Sequence, residues 1–359
     1  MLKQELKELL GQLTDIPGIS GQEMLVVKEL RDRFEQVSDH VEVDGFGNIF
    51  ALKRGLPGGP TLMIAAHSDE IGAMVKSIEK SGYIRLEKVG GTLDPLLLGR
   101  KVRVNGHLGV VGVKAGHLQS PEERTRVVSS NNLYIDVGAS SEQEVRDMGI
   151  RIGDPIVYVS ELESMSNPDR VVGKAVDDRI GCAVLLKLFE RLADVTLEGD
   201  LYAVITVQEE VGLRGARVAT YKLNPDYAIA LDTIPSGDTP DIDTNKELPI
   251  RIGHGPVFPL LAGGGARGNI MHPGFKNFLI DMAEEAEIPY QLATFSGGTT
   301  DISAIHLERA GILSGAVTMA RRYSHSPVEV LDMNDAVNTL LLLEAISRQM
   351  GKLRTIKFI

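Results

Sequence analysis

The sequence predicts an α/β fold in which a mostly parallel mixed sheet is flanked by helices and carries an inserted small β-barrel domain. Helix-like and strand-like segments alternate near the start of the chain and again from about residue 170, a pattern typical of a sheet covered on both faces. Between about residues 71 and 160, short strand-like runs follow one another closely, separated by glycines, with little helical periodicity. Such runs favour a barrel or sandwich. We therefore expect a main α/β domain formed by residues 1–68 and 165–359, with the barrel formed by residues 69–164.

Composition and charge exclude several classes of protein. The 359 residues, 43% of them hydrophobic, are enough for a sizeable core, and the single cysteine, Cys182, excludes an intrachain disulfide. The chain has 38 basic and 49 acidic residues, a net charge of −11, and no Lys/Arg-rich run, so nucleic acid is not an expected partner. The amphipathic N-terminus does not resemble a signal peptide, and no stretch approaches the roughly 20 apolar residues of a membrane span. We expect a cytoplasmic protein without a membrane partner.

The elements before the insert follow from periodicity. Leucines at helical spacing predict an opening helix, and Ser20 is a candidate N-cap for a second helix whose apolar positions run from Met24 to Phe34. Alternation and short apolar runs then predict strands around 41–43, 48–52 and 61–66.

The same reasoning divides the insert and the C-terminal part. In the insert we expect strands at 73–78, 101–104, 109–113, 133–137 and 155–159. After it we expect helices at 179–192, 275–286 and 332–350 and strands at 201–207, 227–231, 290–295 and 313–319. Asp332 or Asn334 would cap the last helix.

Side chains suited to metal binding follow these predicted strands. His67 comes directly after an apolar run, and Glu210 comes three residues after a second. Asp232 directly follows a third run, and His325 follows a fourth after a short loop. Asp177 stands at the start of a predicted helix. Because sites in open α/β sheets form beyond the carboxyl ends of strands, these side chains should converge.

Each of these residues alone has an ordinary explanation. A histidine after a strand is usually structural, either Asp177 or Asp178 could cap a helix, and the pair Glu209 and Glu210 could be a solvated loop. Together, however, several carboxylates and two histidines would repel unless cations neutralise them. Imidazole and carboxylate without thiolate suit zinc, cobalt or manganese at a hydrolytic site. A pair of ions needs one bridging carboxylate, so five ligands are a natural number and the remaining acid is free for proton transfer.

These motifs, in this order, resemble the M42 family of metallo-aminopeptidases, and the resemblance covers nearly the whole chain. The segments that carry it are 17–21, 66–72, 176–179, 208–216, 231–232 and 322–327. The resemblance implies a zinc-peptidase-like fold with an inserted β domain. It also implies two divalent ions, zinc or cobalt, and removal of N-terminal residues from short peptides by a water that bridges the ions.

The resemblance also assigns roles to individual residues. His67 and Asp232 would hold one ion, Glu210 and His325 the other, and Asp177, in preference to Asp178, would bridge them. Glu209 would be the general base, and Asp69 would orient the His67 ring.

The resemblance has a further implication for the pocket and for assembly. Gly298 and Thr299 belong to a glycine-rich loop that would line the substrate pocket, although Thr299 and Ile302 depart from the Gly-Gly-Thr-Asp-Ala pattern of many relatives. A plain tight turn is the alternative interpretation of this loop. The resemblance also implies a homo-oligomer, because relatives form a particle of twelve subunits built from dimers in which the inserted β domain helps assembly.

Other functions remain open at this stage. The sequence separates an aminopeptidase poorly from another di-metal amidohydrolase, such as a deacylase or carboxypeptidase. A glycoside hydrolase is a second alternative, because some family members carry a cellulase label, but the chain has no Trp and only 5% aromatic residues. A non-enzymatic binding module is a third alternative. Such a protein would be expected to have lost a ligand or the base, whereas this chain has all five candidate ligands and Glu209. The six remaining histidines are expected to be surface or structural, and Cys182 to lie in the core.

Overall fold

The computed structural model describes residues 1–356 and contains one large mixed sheet and one closed barrel. The helices are α1 Leu2–Asp15, α2 Met24–Phe34, α3 Pro121–Arg124, α4 Glu142–Asp147, α5 Val176–Leu192, α6 Arg214–Leu223, α7 Pro273–Glu285, α8 Ile302–Ile305 and α9 Met333–Arg348. The strands are β1 His40–Val43, β2 Ile49–Lys53, β3 Leu62–His67, β4 Gly72–Ile78, β5 Ile84–Val89, β6 Lys101–Val104, β7 His107–Gly112, β8 Tyr134–Asp136, β9 Pro155–Tyr158, β10 Glu163–Ser164, β11 Arg170–Gly173, β12 Leu201–Thr206, β13 Tyr227–Pro235, β14 Val257–Ala262, β15 Asn269–Ile270, β16 Gln291–Phe295, β17 Leu313–Arg322 and β18 Glu329–Asp332.

The centre of the large sheet is parallel, and its edges are antiparallel. Strands β12, β3, β13 and β17 run side by side in parallel, whereas β1, β2, β18, β11 and β10 extend the two edges in antiparallel pairs. All six residues of β3 are buried, as expected for a central strand covered on both faces. The register pairs Thr206 with His67, so the ends of β12 and β3 lie at the same edge. The predicted fold class is confirmed.

Helices cover both faces of this sheet. Helix α5 packs against α1 and α9 and against strands β3 and β13, forming the larger hydrophobic core. A smaller core on the same domain includes apolar residues of α6 and α8. Helix α9 begins as predicted, because the carboxylate of Asp332 accepts the backbone N–H of Asn334.

The closed barrel is antiparallel and consists of strands β4, β5, β8, β7, β6 and β9 in that order. Its interior has a hydrophobic core of its own, which includes Val75, Leu86, Val102 and Ile135. Two short helices, α3 and α4, lie in a segment where little helical periodicity was expected. All six strands lie within the segment predicted as the insert, whose limits of 69 and 164 stay a prediction.

Two local predictions were wrong. Ser20 does not cap α2, because its hydroxyl donates to the carboxylate of Asp69, and Glu23 occupies the N-cap position without a side-chain hydrogen bond. Asp232 does not follow a strand but lies within one, since β13 continues to Pro235 alongside β17. Among residues 1–356, no helix combines the length and apolar character needed to cross a membrane.

Candidate metal centre

The five predicted metal ligands meet at the carboxyl edge of the parallel strands. His67 ends β3, Asp232 lies near the end of β13, and Glu210 and His325 lie in the loops that follow β12 and β17. Asp177 precedes the first regular turn of α5, where its φ of −78° and ψ of 112° are extended rather than helical. The crossing of strands and helix therefore gathers residues that are up to 258 positions apart in the chain (325 − 67 = 258).

Asp177 lies between the two histidines. Its Oδ1 atom is 3.2 Å from Nε2 of His67, and its Oδ2 atom is 3.4 Å from Nε2 of His325. Nε2 of His67 is also 3.8 Å from Oδ1 of Asp232, and Nε2 of His325 is 3.4 Å from Oε1 of Glu210. Each carboxylate oxygen of Asp177 thus faces a different histidine, and each histidine has a second acidic neighbour.

These contacts form two compact sets of potential ligands that share one residue. Within residues 1–356, His67, Asp177 and Asp232 can offer ligand atoms within 4.8 Å of one another, and so can Asp177, Glu210 and His325. A third set of this kind contains His67, Glu209 and Glu210. Nitrogen and oxygen donors packed so closely, with no thiolate, fit divalent zinc or cobalt.

The neighbouring acid, Asp178, has a different environment. Its Oδ1 atom accepts the backbone N–H of Gly181 at 3.0 Å, the bond of a helix cap, and its side chain is fully buried. Burial and the charge of Asp232 raise the pKa of Asp178 well above its ordinary value. The peptide bond between Asp177 and Asp178 is cis.

Two residues that the sequence analysis missed hold the Asp177 carboxylate. Arg321, near the end of β17, donates from its guanidinium to Oδ2 of Asp177, and the Thr233 hydroxyl donates to Oδ1 at 2.9 Å. Nε of Arg321 also donates to Oγ1 of Thr233 at 2.5 Å. Burial alone would raise the pKa of Asp177, but the Arg321 charge and the two histidines hold it well below its usual value.

Glu329 links Asp177 to His325 through the backbone. One carboxylate oxygen accepts the N–H of Asp177 at 3.1 Å, and the other accepts the N–H of His325 at 2.9 Å. His325 has a φ of +55°, a conformation that L-residues adopt rarely, so this bond helps to hold it. The sequence shows Glu329 only as an acid at the start of a short apolar run, and its role appears from these two hydrogen bonds.

Comparison with known proteins identifies the family. Residues 47–342 match the model of the M42 glutamyl aminopeptidase family. The chain belongs to the M42 family. It is 34% identical over 350 residues to the lysyl aminopeptidase of Pyrococcus furiosus, with 96% of this chain and 97% of that protein covered.

Solved structures of aminopeptidases are similar over the whole chain. An aminopeptidase from the archaeon Desulfurococcus kamchatkensis has a TM-score of 0.94 at 38% identity, covering 100% of this chain and 99% of that one. The TET1 peptidase of Pyrococcus horikoshii, described as assembling into a tetrahedron or a large octahedral shell, has a TM-score of 0.85 at 32% identity, covering 96% and 99%.

In this M42 chain, the carboxylate of Asp69 lies closer to the backbone N–H groups of Glu209 and Glu210 than to the ring of His67. Its two carboxylate oxygens accept the N–H groups of Glu209 at 3.0 Å and Glu210 at 3.2 Å, and the Ser20 hydroxyl donates to it at 2.6 Å. The group nearest to Nδ1 of His67 is the backbone carbonyl of Asp69, at 3.1 Å, with the carboxylate at 3.6 Å. The orienting role predicted for the Asp69 carboxylate stays a prediction.

Glu209 lies at the rim of the metal centre and is nearly buried. Burial raises its pKa well above the ordinary value, and the negative charges of Asp232, Asp301 and Glu210 add to this effect while His67 opposes it. Asp301 is itself a buried acid that accepts the Thr206 hydroxyl at 2.6 Å. Burial and these neighbouring negative charges disfavour the ionised form of Glu209.

A cavity of about 350 Å³ opens onto the metal centre. Its lining includes Glu209 and all five predicted ligands, together with the loop residues Gly298 and Thr299. Apolar walls are provided by residues that the sequence analysis did not single out, namely Leu213, Ile234, Pro235, Pro259, Ala262 and Phe295.

The six remaining histidines and Cys182 are not among the residues that meet at the metal centre. Four histidines are exposed, at positions 40, 107, 117 and 254. His272 accepts the N–H of Gly274 at the start of α7, and Nδ1 of His306 lies 2.8 Å from the carbonyl of Ile302. Cys182 lies in the large hydrophobic core, where its thiol donates to the carbonyl of His67.

Proposed function

We propose that this M42 protein is an aminopeptidase that uses two divalent ions, bridged by Asp177, to remove N-terminal residues from short peptides. The observation that carries the proposal is the position of Asp177. Each of its carboxylate oxygens faces one histidine, and each histidine has its own acidic neighbour, so two ligand sets share one carboxylate. A shared carboxylate is the feature that a pair of ions about 3.5–4 Å apart needs.

The donor set supports one assignment of ligands. His67 and Asp232 would hold one ion, and Glu210 and His325 the other. Zinc and cobalt both accept such nitrogen and oxygen donors. When bound, the two ions would acidify a water and polarise the peptide carbonyl.

Glu209 is the group we assign to proton transfer. It lies beside the ligand sets, yet neither of the two sets that share Asp177 includes it. Its carboxylate would accept a proton from the attacking water and pass that proton to the nitrogen of the leaving amine. Asp69 supports this role, because it accepts the backbone N–H of Glu209 and so fixes the loop that carries the base.

The cavity would hold the N-terminal residue of the substrate. At about 350 Å³ it is of the size of a small-molecule site rather than an open groove for a folded chain. We assign Gly298 and Thr299 to the substrate-facing wall. Hydrolysis rates on a panel of peptides with different N-terminal residues would identify the side chain that the cavity prefers.

The first experiment measures hydrolysis of a leucine anilide by metal-free protein, before and after addition of cobalt or zinc. The N-acetylated anilide serves as the matched control substrate. Activity that returns with metal and only on the free amine would support the proposal. Equal cleavage of the acetylated substrate would contradict it and favour a deacylase or another amidohydrolase.

Two further substrates test the remaining alternatives. A peptide blocked at the C-terminus should still be cleaved by an aminopeptidase but not by a carboxypeptidase. Activity on a soluble cellulose derivative that survives a chelator would favour the glycosidase alternative.

We also propose that the chain forms a homo-oligomer built from dimers, and that this assembly is a dodecamer, as in a solved structure of a TET1 peptidase. The proposal rests on the likeness to the TET1 peptidase, whose structure is described as a tetrahedron or octahedral shell. Light scattering that finds a stable monomer at micromolar concentration would contradict it.

A further inference from the structure

A glycine of the barrel lies against the ring of His325. Gly91 follows β5, in the loop that leads to the 3-10 turn Asp94–Leu96. A Cβ atom placed on Gly91 would lie 2.6 Å from Nδ1 of His325 and 3.1 Å from its Cε1. Such distances are shorter than van der Waals contact, so the ring can occupy its place only because residue 91 has no side chain. The barrel and the metal centre therefore touch at this point.

The loop that carries Gly91 is anchored on both sides. Nζ of Lys88 donates to the carbonyl of Thr92 at 2.9 Å and to the carboxylate of Asp94 at 2.6 Å. Gly90 packs on Ile71, where an added Cβ would lie 2.7 Å from Cγ2. These contacts leave the loop little freedom to withdraw from the histidine.

Few contacts other than the one with Gly91 fix the orientation of the His325 ring. Its side chain is 35% exposed, whereas that of His67 is 2% exposed and encased by the sheet. Its backbone is held by Glu329, but that bond does not fix the rotation of the ring. Nε2 points at Asp177 and Glu210, and the opposite nitrogen, Nδ1, is the atom nearest to Gly91.

From this geometry we propose that Gly91 is a positioning residue: the barrel presses a side-chain-free loop against His325 and so directs its Nε2 toward Asp177 and Glu210. The inference rests on the proposed function, since it assigns His325 to one of two metal ions. It gives the inserted barrel a direct part in assembling the metal centre of its own chain.

An alanine at position 91 should displace the ring or the loop. The φ of Gly91 lies outside the left-handed region, so alanine adds no backbone strain and its effect comes from the contact alone. By analogy with changes to groups that orient metal ligands, we expect affinity for the ion held by Glu210 and His325 to fall about 10–100-fold. The ion held by His67 and Asp232 should keep its affinity.

The matched control is Gly116→Ala. Gly116 also lies in a loop of the barrel segment, its φ is likewise outside the left-handed region, and an added Cβ would meet nothing within 4 Å. Metal-free wild type, Gly91→Ala and Gly116→Ala are titrated with zinc and with cobalt by calorimetry, and their unfolding midpoints are measured in chelator. We expect two ions in wild type and Gly116→Ala, one of them weakened in Gly91→Ala, and similar midpoints for all three.

A double-variant cycle separates the contact with His325 from a general effect on the fold. In a His325→Ala background the ring is gone, so Gly91→Ala should change the residual affinity for the ion held by Glu210 by less than about 2-fold, compared with about 10–100-fold when His325 is present. Two equally tight ions in Gly91→Ala would overturn the inference while leaving the two-metal proposal intact. Fewer than two ions in wild type would instead overturn the two-metal proposal, on which the inference depends.

Discussion

The Oδ1 atom of Asp69 accepts the backbone N–H of Glu209 at 3.0 Å. Its other oxygen accepts the N–H of Glu210 and the hydroxyl of Ser20, so three donors converge on one fully buried carboxylate. Burial would raise the pKa of Asp69, but the His67 charge and these donors hold it below the usual value. Asp69 thus ties the end of β3 to the loop that carries the proposed base and one proposed ligand.

We expect Asp69→Asn to weaken metal binding and lower activity together. An amide has one oxygen, so its NH₂ group would face an N–H donor of Glu209 or Glu210 and leave it unpaired. A loss of about 10–100-fold in affinity for at least one ion is expected. Calorimetric titration measures the affinity, and steady-state kinetics measures kcat/KM. Ser20→Ala is the milder control, because it removes one donor and leaves the carboxylate in place. Unchanged affinity in Asp69→Asn would contradict the role in positioning.

Glu209→Gln should separate catalysis from metal binding. The amide cannot accept a proton, so kcat should fall by about 10²–10⁴-fold. Metal stoichiometry should stay at two, because Glu209 is outside both ligand sets that share Asp177. Glu210→Gln provides the contrast, with an expected loss of one ion. A Glu209→Gln variant that lost an ion, or that kept its kcat, would argue against Glu209 as the base.

Arg321→Met should lower the free energy of unfolding more in the metal-free protein than in the protein with zinc bound. Arg321 is buried, and its removal leaves the charges of Asp177 and Glu329 without their cationic neighbour. Breaking a buried pair in this way typically costs about 3–5 kcal/mol in the free energy of unfolding. Bound ions would offset the charge of Asp177, so the loss should shrink in zinc. Denaturant unfolding in chelator and in zinc measures both values.

The neighbouring Arg322→Met is the matched control for that experiment. Two guanidinium nitrogens of Arg322 donate to the carboxylate of Asp238, at 3.1 and 2.7 Å, and the Arg322 side chain is 20% exposed. Neither residue lines the cavity at the metal centre. Its loss should cost about 1 kcal/mol, equally in chelator and in zinc. Equal losses for the two variants in chelator would contradict a special role for Arg321.

The sequence predicted the fold class and the set of acids and histidines that the fold gathers, because both depend on local patterns. Apolar runs marked β3 and β12, and the polar residues after them, His67 and Glu210, lie at one edge of the sheet because parallel strands end there. Asp232 was also selected as a polar residue that follows a predicted strand, although the strand β13 in fact continues past it to Pro235.

The supporting residues could not be predicted because their roles depend on long-range contacts. Arg321 ends an otherwise apolar run, and only the pairing of β17 with β13 brings it to Thr233 and Asp177. Ser20 stood at a position suited to a helix cap, and its competing partner, Asp69, is 49 residues away. Gly91 is one of many glycines between the strand-like runs of the insert, and its contact with His325 exists only once the two parts of the chain pack together.

Asp335 gives a prediction for the pH dependence of stability that is independent of the metal centre. Its buried carboxylate on α9 accepts the N–H groups of Gly253 and Gly255 at 2.6 and 2.7 Å. Burial raises its pKa to about 7, even though these two hydrogen bonds oppose the shift. In the unfolded chain an aspartate has a pKa of about 3.9. Between about pH 4 and pH 7 the folded protein therefore binds more protons at this group than the unfolded chain does.

The contribution of Asp335 to the free energy of unfolding is fully present below about pH 4 and is lost as the pH rises through 7. Asp335→Asn cannot titrate, so the stability of wild type minus that of the variant should fall by on the order of 2 kcal/mol between about pH 5 and pH 7. Denaturant unfolding of both proteins in chelator measures this difference, and groups that titrate equally in the two proteins cancel. A difference that stays constant with pH, or grows as the pH rises, would mean that Asp335 is ionised throughout and that its two backbone donors outweigh its burial.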